Sequence, residues 1–351
     1  MRFIGKTFHA RKPAAALIAL LLCAAVLSAC GSNNNGNNGA SPNASPSDQA
    51  SPSASAASPS ASASEESNAP SARAVTDALG RTVEIPAKPE RIVAHYYASE
   101  FTALNVPLLG TNFLNAKLAL TEEQLQGIED VGGEGLAPNL EKLLSLKPDL
   151  IVVPDFLEAT DIDALAKIAP TVAVSYSADT FSHLRTIADL VGQPQLAEDW
   201  IASYTKKSEE KRAEVKPFLT EGETASAFVV YTDGKAYIYN KQRLGPTMYD
   251  ALGFAVPEKV QALFKDAPDE LWKEISLELL TEYAGDRIFL VTPGEDEAGK
   301  KALEEVVNGA VWKSLPAVKN GKAYLVTGRW AMNDPLTLDW LLDEMPALLT
   351  K

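Results

Sequence analysis

Residues 138–153 read PNLEKLLSLKPDLIVV, and they set the architecture. Asn139–Lys147 (NLEKLLSLK) carries leucines on one helical face, and Asp149–Pro154 (DLIVVP) is a continuous apolar run. A strand that is apolar at every position is covered on both faces, as in a parallel sheet flanked by helices. The arrangement returns further on. Ser276-Leu277-Glu278-x-Leu280 leads into Asp286 and the strand RIFLV, as Asn139-Leu140-Glu141-x-Leu143 leads into Asp149 and LIVV. Glu141 and Glu278 stand 137 residues apart, and so do Arg91-Ile92-Val93 and Phe228-Val229-Val230. Two matches at one offset favour two related lobes.

Around this pair the α/β rhythm continues. In the first half, Arg91–Tyr96, Pro107–Asn112 and Thr171–Tyr176 read as strands and Asp161–Ala169 as a helix. In the second, Ala225–Tyr231 and Lys235–Tyr239 read as strands turning at Asp233-Gly234. Leu277–Tyr283 and Glu295–Val307 are expected helices, and Arg287–Thr292 and Lys322–Thr327 expected strands. The last helix is Pro335–Leu349, capped by Asp334. Between the halves, residues 195–216 hold no Gly or Pro and favour one helix of roughly 33 Å. That is longer than a crossover inside one lobe needs.

The 351 residues carry 32 Lys+Arg and 46 Asp+Glu, a net charge of -14. Four of the basic residues lie within the first 29, which hold no acid, so the remainder is more acidic still. Such a chain lacks the clustered cations that phosphate backbones require, which argues against nucleic acid as a partner. Basic residues 1–13 precede the uncharged run Ala14–Ala29, which ends Leu27-Ser28-Ala29-Cys30. Sixteen residues fall short of the roughly 20 that span a bilayer. A basic start, a short apolar core and small residues before a cysteine look like a lipoprotein signal, with Cys30 lipidated. Residues 31–72 contain no Val, Ile, Leu, Met, Phe, Tyr or Trp. With nothing to bury, they read as a flexible tether. The expected organisation is a signal (1–29), a tether (30–72), an N-terminal lobe (73–193), a linking helix (194–217) and a C-terminal lobe (218–351). This places the folded body on the extracytoplasmic face of a cell membrane.

Lipoprotein signal, two α/β lobes and one long helix together resemble the substrate-binding proteins of ABC importers for iron-siderophores and cobalamin. The resemblance runs along 74–349. It rests on DALGRTVEIPAKPERIV, DVGGEGLAPNLEKLLSLKPDLIVV, LWKEISLELL and VWKSLPAVKNGKAYLV. The stretch Trp330–Leu338 resembles the ferric hydroxamate branch, and Tyr239–Pro257 does so less closely. Leu244-Gly245-Pro246 departs from the two glycines that often follow an arginine there. The resemblance implies two Rossmann-like lobes with parallel-rich sheets joined by a single long α-helix, the class III periplasmic-binding-protein fold. It implies a monomer that binds a ferric siderophore, of hydroxamate type, and delivers it to a membrane permease. Catecholate and citrate-type siderophores and cobalamin are the alternatives within the class. The siderophore holds the iron, so neither a cofactor nor a protein metal ligand is expected.

Ligands of open α/β sheets lie beyond the carboxyl ends of the strands. Residues following the strands are therefore the candidates. From the first lobe they are Tyr96, Tyr97, Asn112, Phe113, Phe156 and Tyr176, with His95 at a strand end. From the second they are Tyr231, Tyr239, Lys241, Arg243, Arg329 and Trp330. Aromatic faces would cover an organic body, and Arg and Tyr would donate to iron-bound oxygens. No GxSxG, Walker, HExxH or GxGxxG motif occurs, so an extracellular siderophore-processing enzyme is disfavoured. A haem receptor could use His95, Met248 or Met332, although methionines mostly pack. The first-turn glutamates Glu141 and Glu278 favour the dipoles of their helices. By the resemblance they also sit on the two lobe tips and meet permease arginines.

Overall fold

The computed structural model describes residues 72–231, 235–292 and 297–350. The signal, Cys30 and the tether up to residue 71 lie outside the described residues. So do Gly234 and Asp233 of the expected turn, and Glu295 at the start of an expected helix.

The described chain opens with a hairpin, β1 (Ala72–Thr76) against β2 (Thr82–Pro86). Ala72, the last residue of the expected tether, pairs with Pro86 in this hairpin. Asp77 holds the turn by accepting hydrogen bonds from the Leu79 and Arg81 amides and from the Arg81 guanidinium. The first lobe follows as a five-stranded sheet. Its strands are β3 (Ile92–Ala94), β4 (Gly110–Thr111), β5 (Glu129–Asp130), β6 (Leu150–Pro154) and β7 (Thr171–Val174). The order is β5-β4-β3-β6-β7, with every pair parallel. The second lobe holds β8 (Ala225–Val230), β9 (Ala236–Tyr239), β10 (Trp272–Ile275), β11 (Arg287–Val291) and β12 (Ala323–Val326). Its order is β10-β9-β8-β11-β12. Here β8, β11 and β12 run parallel, and β9 and β10 add an antiparallel edge.

The sequence repeat has a structural counterpart. Asp149 accepts the amides of Glu90 and Arg91, pinning the start of β3 beside β6. Asp286 accepts the amide and hydroxyl of Thr224, pinning the start of β8 beside β11. In both lobes one aspartate secures the register of the two central parallel strands.

Helix Gln195–Val215 joins the lobes. It packs against Thr180–Leu190 of the first lobe and Pro335–Leu349 of the second. Trp200 and Tyr204 stack at 5.4 Å, and Tyr204 meets Phe181 edge-on. Tyr204 shares a buried cluster with Ala251, Leu338 and Leu342, with Phe181 and Trp200 packed against it. Lys207 bridges Asp339 and Asp343 of the last helix. The helix is thus fastened to both lobes along its length, which favours small relative movements. No helix among the described residues is long and apolar enough to cross a membrane.

Candidate functional site

The aromatic and cationic candidates divide between cleft and core. Tyr96 and Tyr176 follow β3 and β7, and Phe156 follows β6. Their rings meet edge to face, with centroids 5.5 Å apart for Tyr96–Phe156, 5.7 Å for Tyr96–Tyr176 and 5.0 Å for Phe156–Tyr176. Phe156 is 41% exposed, so this aromatic wall presents a face outward. Burial, with Tyr176 alongside, keeps the Tyr96 hydroxyl protonated well beyond the ordinary tyrosine range.

Arg243 faces the wall from the second lobe. Its Nη1 donates to the Ala331 carbonyl, and its Nη2 donates 3.0 Å to the Tyr176 hydroxyl across the lobe boundary. The guanidinium lies 4.7 Å from the Trp272 ring centroid and 5.9 Å from that of Tyr239. Two features mark it as specialised. Its backbone has φ +60, a left-handed conformation that side-chain-bearing residues avoid. It is also buried, with no carboxylate within ion-pair distance among the described residues and with Nε lacking any hydrogen-bond partner. A buried cation without a counter-charge lowers stability. Oxygen acceptors on a ligand would offset that cost.

Beside Arg243 the lobes enclose a chamber of about 130 Å³. Tyr96 and Tyr176 line it, as do Glu100, His183 and Asp334, which were not on the sequence-derived list. All three of these ionisable groups are buried. His183 Nε2 donates 2.7 Å to the Ser175 carbonyl, and Nδ1 lies 3.5 Å from Glu100 Oε1. Burial pushes the Glu100 carboxyl up. Burial opposes charge on His183, but its hydrogen bond and attraction to Glu100 prevail and raise its pKa. The two groups are thus a coupled buried pair, Nδ1 facing Oε1 at 3.5 Å without a well-directed hydrogen bond. Nothing in the local sequence announces these groups. They sit within helices Ala98–Ala103 and Thr180–Leu190 and before Pro335, and only the packing of the lobes gathers them.

Several expected contacts lie elsewhere. Trp330 is 6% exposed and stacks on Phe289 at 5.9 Å within the second-lobe core. Its ring is structural, because the short helical turn Gly328–Ala331 tucks it beneath β11. Tyr239 is likewise core, 3% exposed. Tyr97 spends its hydroxyl on the Val174 carbonyl, although part of it reaches the chamber wall. Asn112 is buried and caps Phe113–Ala116 by accepting the Leu114 amide. Phe113 is half-buried under Lys117, 5.3 Å from its ring centroid. Arg329 covers the Trp340 ring at 4.2 Å. Tyr231 and Lys241 remain exposed. His95 is buried, its Nε2 donating 2.8 Å to the Leu136 carbonyl. Met248 is fully buried, whereas Met332 lines the chamber.

Glu141 and Glu278 are exposed, each near the start of its lobe's matching helix. Their settings differ. Asn139 caps its helix by accepting the Lys142 amide, but Ser276 makes no cap hydrogen bond. Glu278's own backbone amide and the Ser276 side chain instead hold its carboxyl below the usual range. The segment begins as a 3-10 turn, Leu277–Leu279, before Leu280–Tyr283 becomes α-helical.

Two α/β lobes, a rigid linking helix and an enclosed space at their junction define a class III solute-binding fold. Comparison with known proteins agrees. Residues 122–329 match the family described as "Periplasmic binding protein", and the chain belongs to that family. The iron(3+)-hydroxamate-binding protein FhuD of Bacillus subtilis (strain 168) is 32% identical over 278 residues, covering 77% of this chain and 84% of that protein. The iron(3+)-hydroxamate-binding protein YxeB of the same organism is 29% identical over 278 residues, covering 77% and 83%. Among solved structures, Staphylococcus aureus FhuD2 with bound ferrioxamine B superposes with TM-score 0.64 at 25% identity, covering 74% of this chain and 98% of that one. The chain is thus a member of a family of binding proteins rather than enzymes, similar over most of its length to proteins named for binding iron(3+)-hydroxamates.

Proposed function

We propose that this protein is a lipid-anchored receptor that takes a ferric trihydroxamate into the cleft between its lobes and presents it to a membrane permease. The observation that carries the reading is Arg243, buried, strained and without a counter-charge among the described residues, facing the Tyr96–Phe156–Tyr176 wall. Relatives that bear the name of iron-hydroxamate-binding proteins point the same way. A neutral chelate with an apolar skeleton and oxygen-rich core suits one guanidinium and several rings. A strongly anionic catecholate complex would call for about three basic groups in the cleft. Of the expected set, Arg329 is stacked on Trp340, leaving Arg243 and the exposed Lys241.

Drug-sized ligands occupy roughly 300–1,000 Å³, so a whole chelate exceeds the chamber. In this reading it rests at the mouth, against Phe156, Tyr176, Tyr231 and Arg243, and the lobes part slightly to admit it. Tyr176 then exchanges its hydrogen bond from Arg243 for a contact with the ligand. Cys30 tethers the receptor to the membrane, and Glu141 and Glu278 meet basic groups of the permease. The receptor acts as a monomer, and the iron travels inside its siderophore. Competition among ferrioxamine B, ferrichrome, schizokinen and enterobactin complexes, read by tryptophan quenching, tests the ligand class. Exclusive binding of the catecholate would move the ligand assignment and leave the fold untouched.

A further inference from the structure

The chamber between the lobes is walled by buried and half-buried residues, with one exception. Leu118 lines it and is 51% exposed, and among the described residues no other member of the lining is exposed. An exposed side chain on an enclosed space stands where that space opens to solvent, so Leu118 marks the mouth. It follows the short helix Phe113–Ala116 rather than a strand, so strand ends do not point to it.

The segment that carries Leu118 is firmly held. Asn112 caps its start by accepting the Leu114 amide. The Asn115 side-chain amide donates 3.1 Å to the Tyr96 carbonyl, which ties the segment to the aromatic wall. Ala116, Ala119 and Leu120 turn inward and pack with Ala98 and Leu125. Leu118 stays outside that cluster, on a fixed backing, with half its surface in water. Single exposed leucines are ordinary. Leu114 of the same segment is one, 63% exposed and not part of the chamber lining. Leu118 differs in its company, because Ala116, Ala119 and, from the second lobe, Met332 line the same chamber. Both lobes thus bring apolar surface to the chamber, and at Leu118 that surface reaches solvent. Arg243 and the tyrosines suit the oxygen-rich core of a chelate, whereas Leu118 and Met332 suit hydrocarbon.

We propose that Leu118 is a specificity-determining residue of the receptor, covering the polymethylene links that join the hydroxamates of an open-chain chelate. The inference rests on the ferric-hydroxamate reading and deepens it, by naming the connecting chain of the ligand. A chelate seated at the mouth with methylene groups over Leu118 removes apolar surface from water on both sides. A chelate whose hydroxamates hang on a peptide ring brings amide groups to the same leucine. Those groups lose water there without gaining a partner. Leu118 therefore adds affinity for the first kind and none for the second.

The test compares ferrioxamine B, whose hydroxamates are joined by largely methylene links, with ferrichrome, whose hydroxamates are carried on a cyclic peptide. Both are titrated by tryptophan quenching into the full folded chain as wild type, Leu118→Ser and Leu114→Ser. Leu118→Ser should weaken ferrioxamine B about fivefold, as expected for covering the exposed half of a leucine. It should change ferrichrome by less than about twofold, and Leu114→Ser should change either chelate by less than about twofold. Unchanged ferrioxamine B affinity in Leu118→Ser, an equal loss for both chelates, or an equal loss in Leu114→Ser would each overturn the assignment and leave the receptor reading standing. Binding of neither chelate by the wild type would overturn the receptor reading and the assignment with it. Both leucines are exposed, so the two variants should keep the wild-type thermal unfolding, which is measured alongside.

Discussion

Replacing Arg243 separates binding from stability in a way that few positions allow. Ligand affinity should fall sharply. Each charge-assisted hydrogen bond is worth about 1.5–3 kcal/mol, so losing even one to a hydroxamate oxygen weakens binding at least tenfold, about 1.4 kcal/mol. Stability should respond differently. The guanidinium loses its bonds to Ala331 and Tyr176 and its place over Trp272. Against that, the variant removes a buried cation with no counter-charge, and an Nε with no hydrogen-bond partner, among the described residues. These terms oppose, and a net change within about 1 kcal/mol is expected for Arg243→Ala. Glycine adds a second signature. At φ +60 a Cβ costs roughly 1–2 kcal/mol, which glycine escapes. Arg243→Gly should therefore unfold at higher urea than Arg243→Ala while binding ferrioxamine B equally poorly. The assays are tryptophan-quench titration and urea denaturation on the three proteins. Wild-type affinity in both variants would refute the placement of the cleft, and equal stability of the two would refute the strain argument.

Trp330→Ala should act the other way: loss of its stacking on Phe289 should cost about 3–5 kcal/mol in denaturant titrations, with affinity of the remaining folded protein near wild type. Changing Glu141 and Glu278 together to Ala should leave affinity in solution unaltered while radio-iron uptake by cells collapses; normal uptake would leave them as helix-terminal charges only. Stability should depend on pH through the Glu100–His183 pair. Because folded His183 holds its proton more tightly, its contribution is complete below about pH 6.5 and is lost as pH rises through the raised folded value. Glu100→Gln should flatten that fall in thermal unfolding across pH 6–9, and an unchanged slope would assign it to other groups. Cys30→Ser should release the protein into the medium or leave it unprocessed, and mass spectrometry finding an unlipidated mature terminus elsewhere would contradict the anchor.

Much of the fold could be read because its signals are local. The last helix was expected at Pro335–Leu349 with Asp334 as its cap, and the structure has both. The long helix was expected at 195–216 and spans Gln195–Val215. Apolar runs located β6 and β11 nearly to the residue. Elements held by tertiary pairing were harder. The strand expected at Pro107–Asn112 keeps only Gly110–Thr111, because Asn112 turns to cap the next helix. The opening hairpin, whose strands alternate over only five residues each, and the four-residue edge strand Trp272–Ile275 are too short for their pattern to stand out and were not anticipated.

The site was less readable for a related reason. Following each strand leads to the rim between the lobes, where the structure places Tyr96, Phe156, Tyr176 and Arg243. It does not tell which rings turn inward. Tyr239 and Trp330 lie beside the cleft in sequence, yet their rings fill the second-lobe core. It also cannot find Glu100, His183 or Asp334, which meet only because helix Ala98–Ala103 packs against the start of the last helix. Arg243's left-handed backbone has no mark in composition, although the neighbouring Gly245-Pro246 marks the start of the helical segment Pro246–Ala251.

The central claim is that a ferric trihydroxamate occupies the inter-lobe cleft as carried ligand. Its most direct test is the titration of purified wild-type protein with ferrioxamine B, followed by recovery and mass analysis of the chelate. The account predicts saturable quenching at one chelate per protein, at sub-micromolar concentration, with the chelate recovered intact. No saturable binding, or a chemically altered chelate, would contradict it.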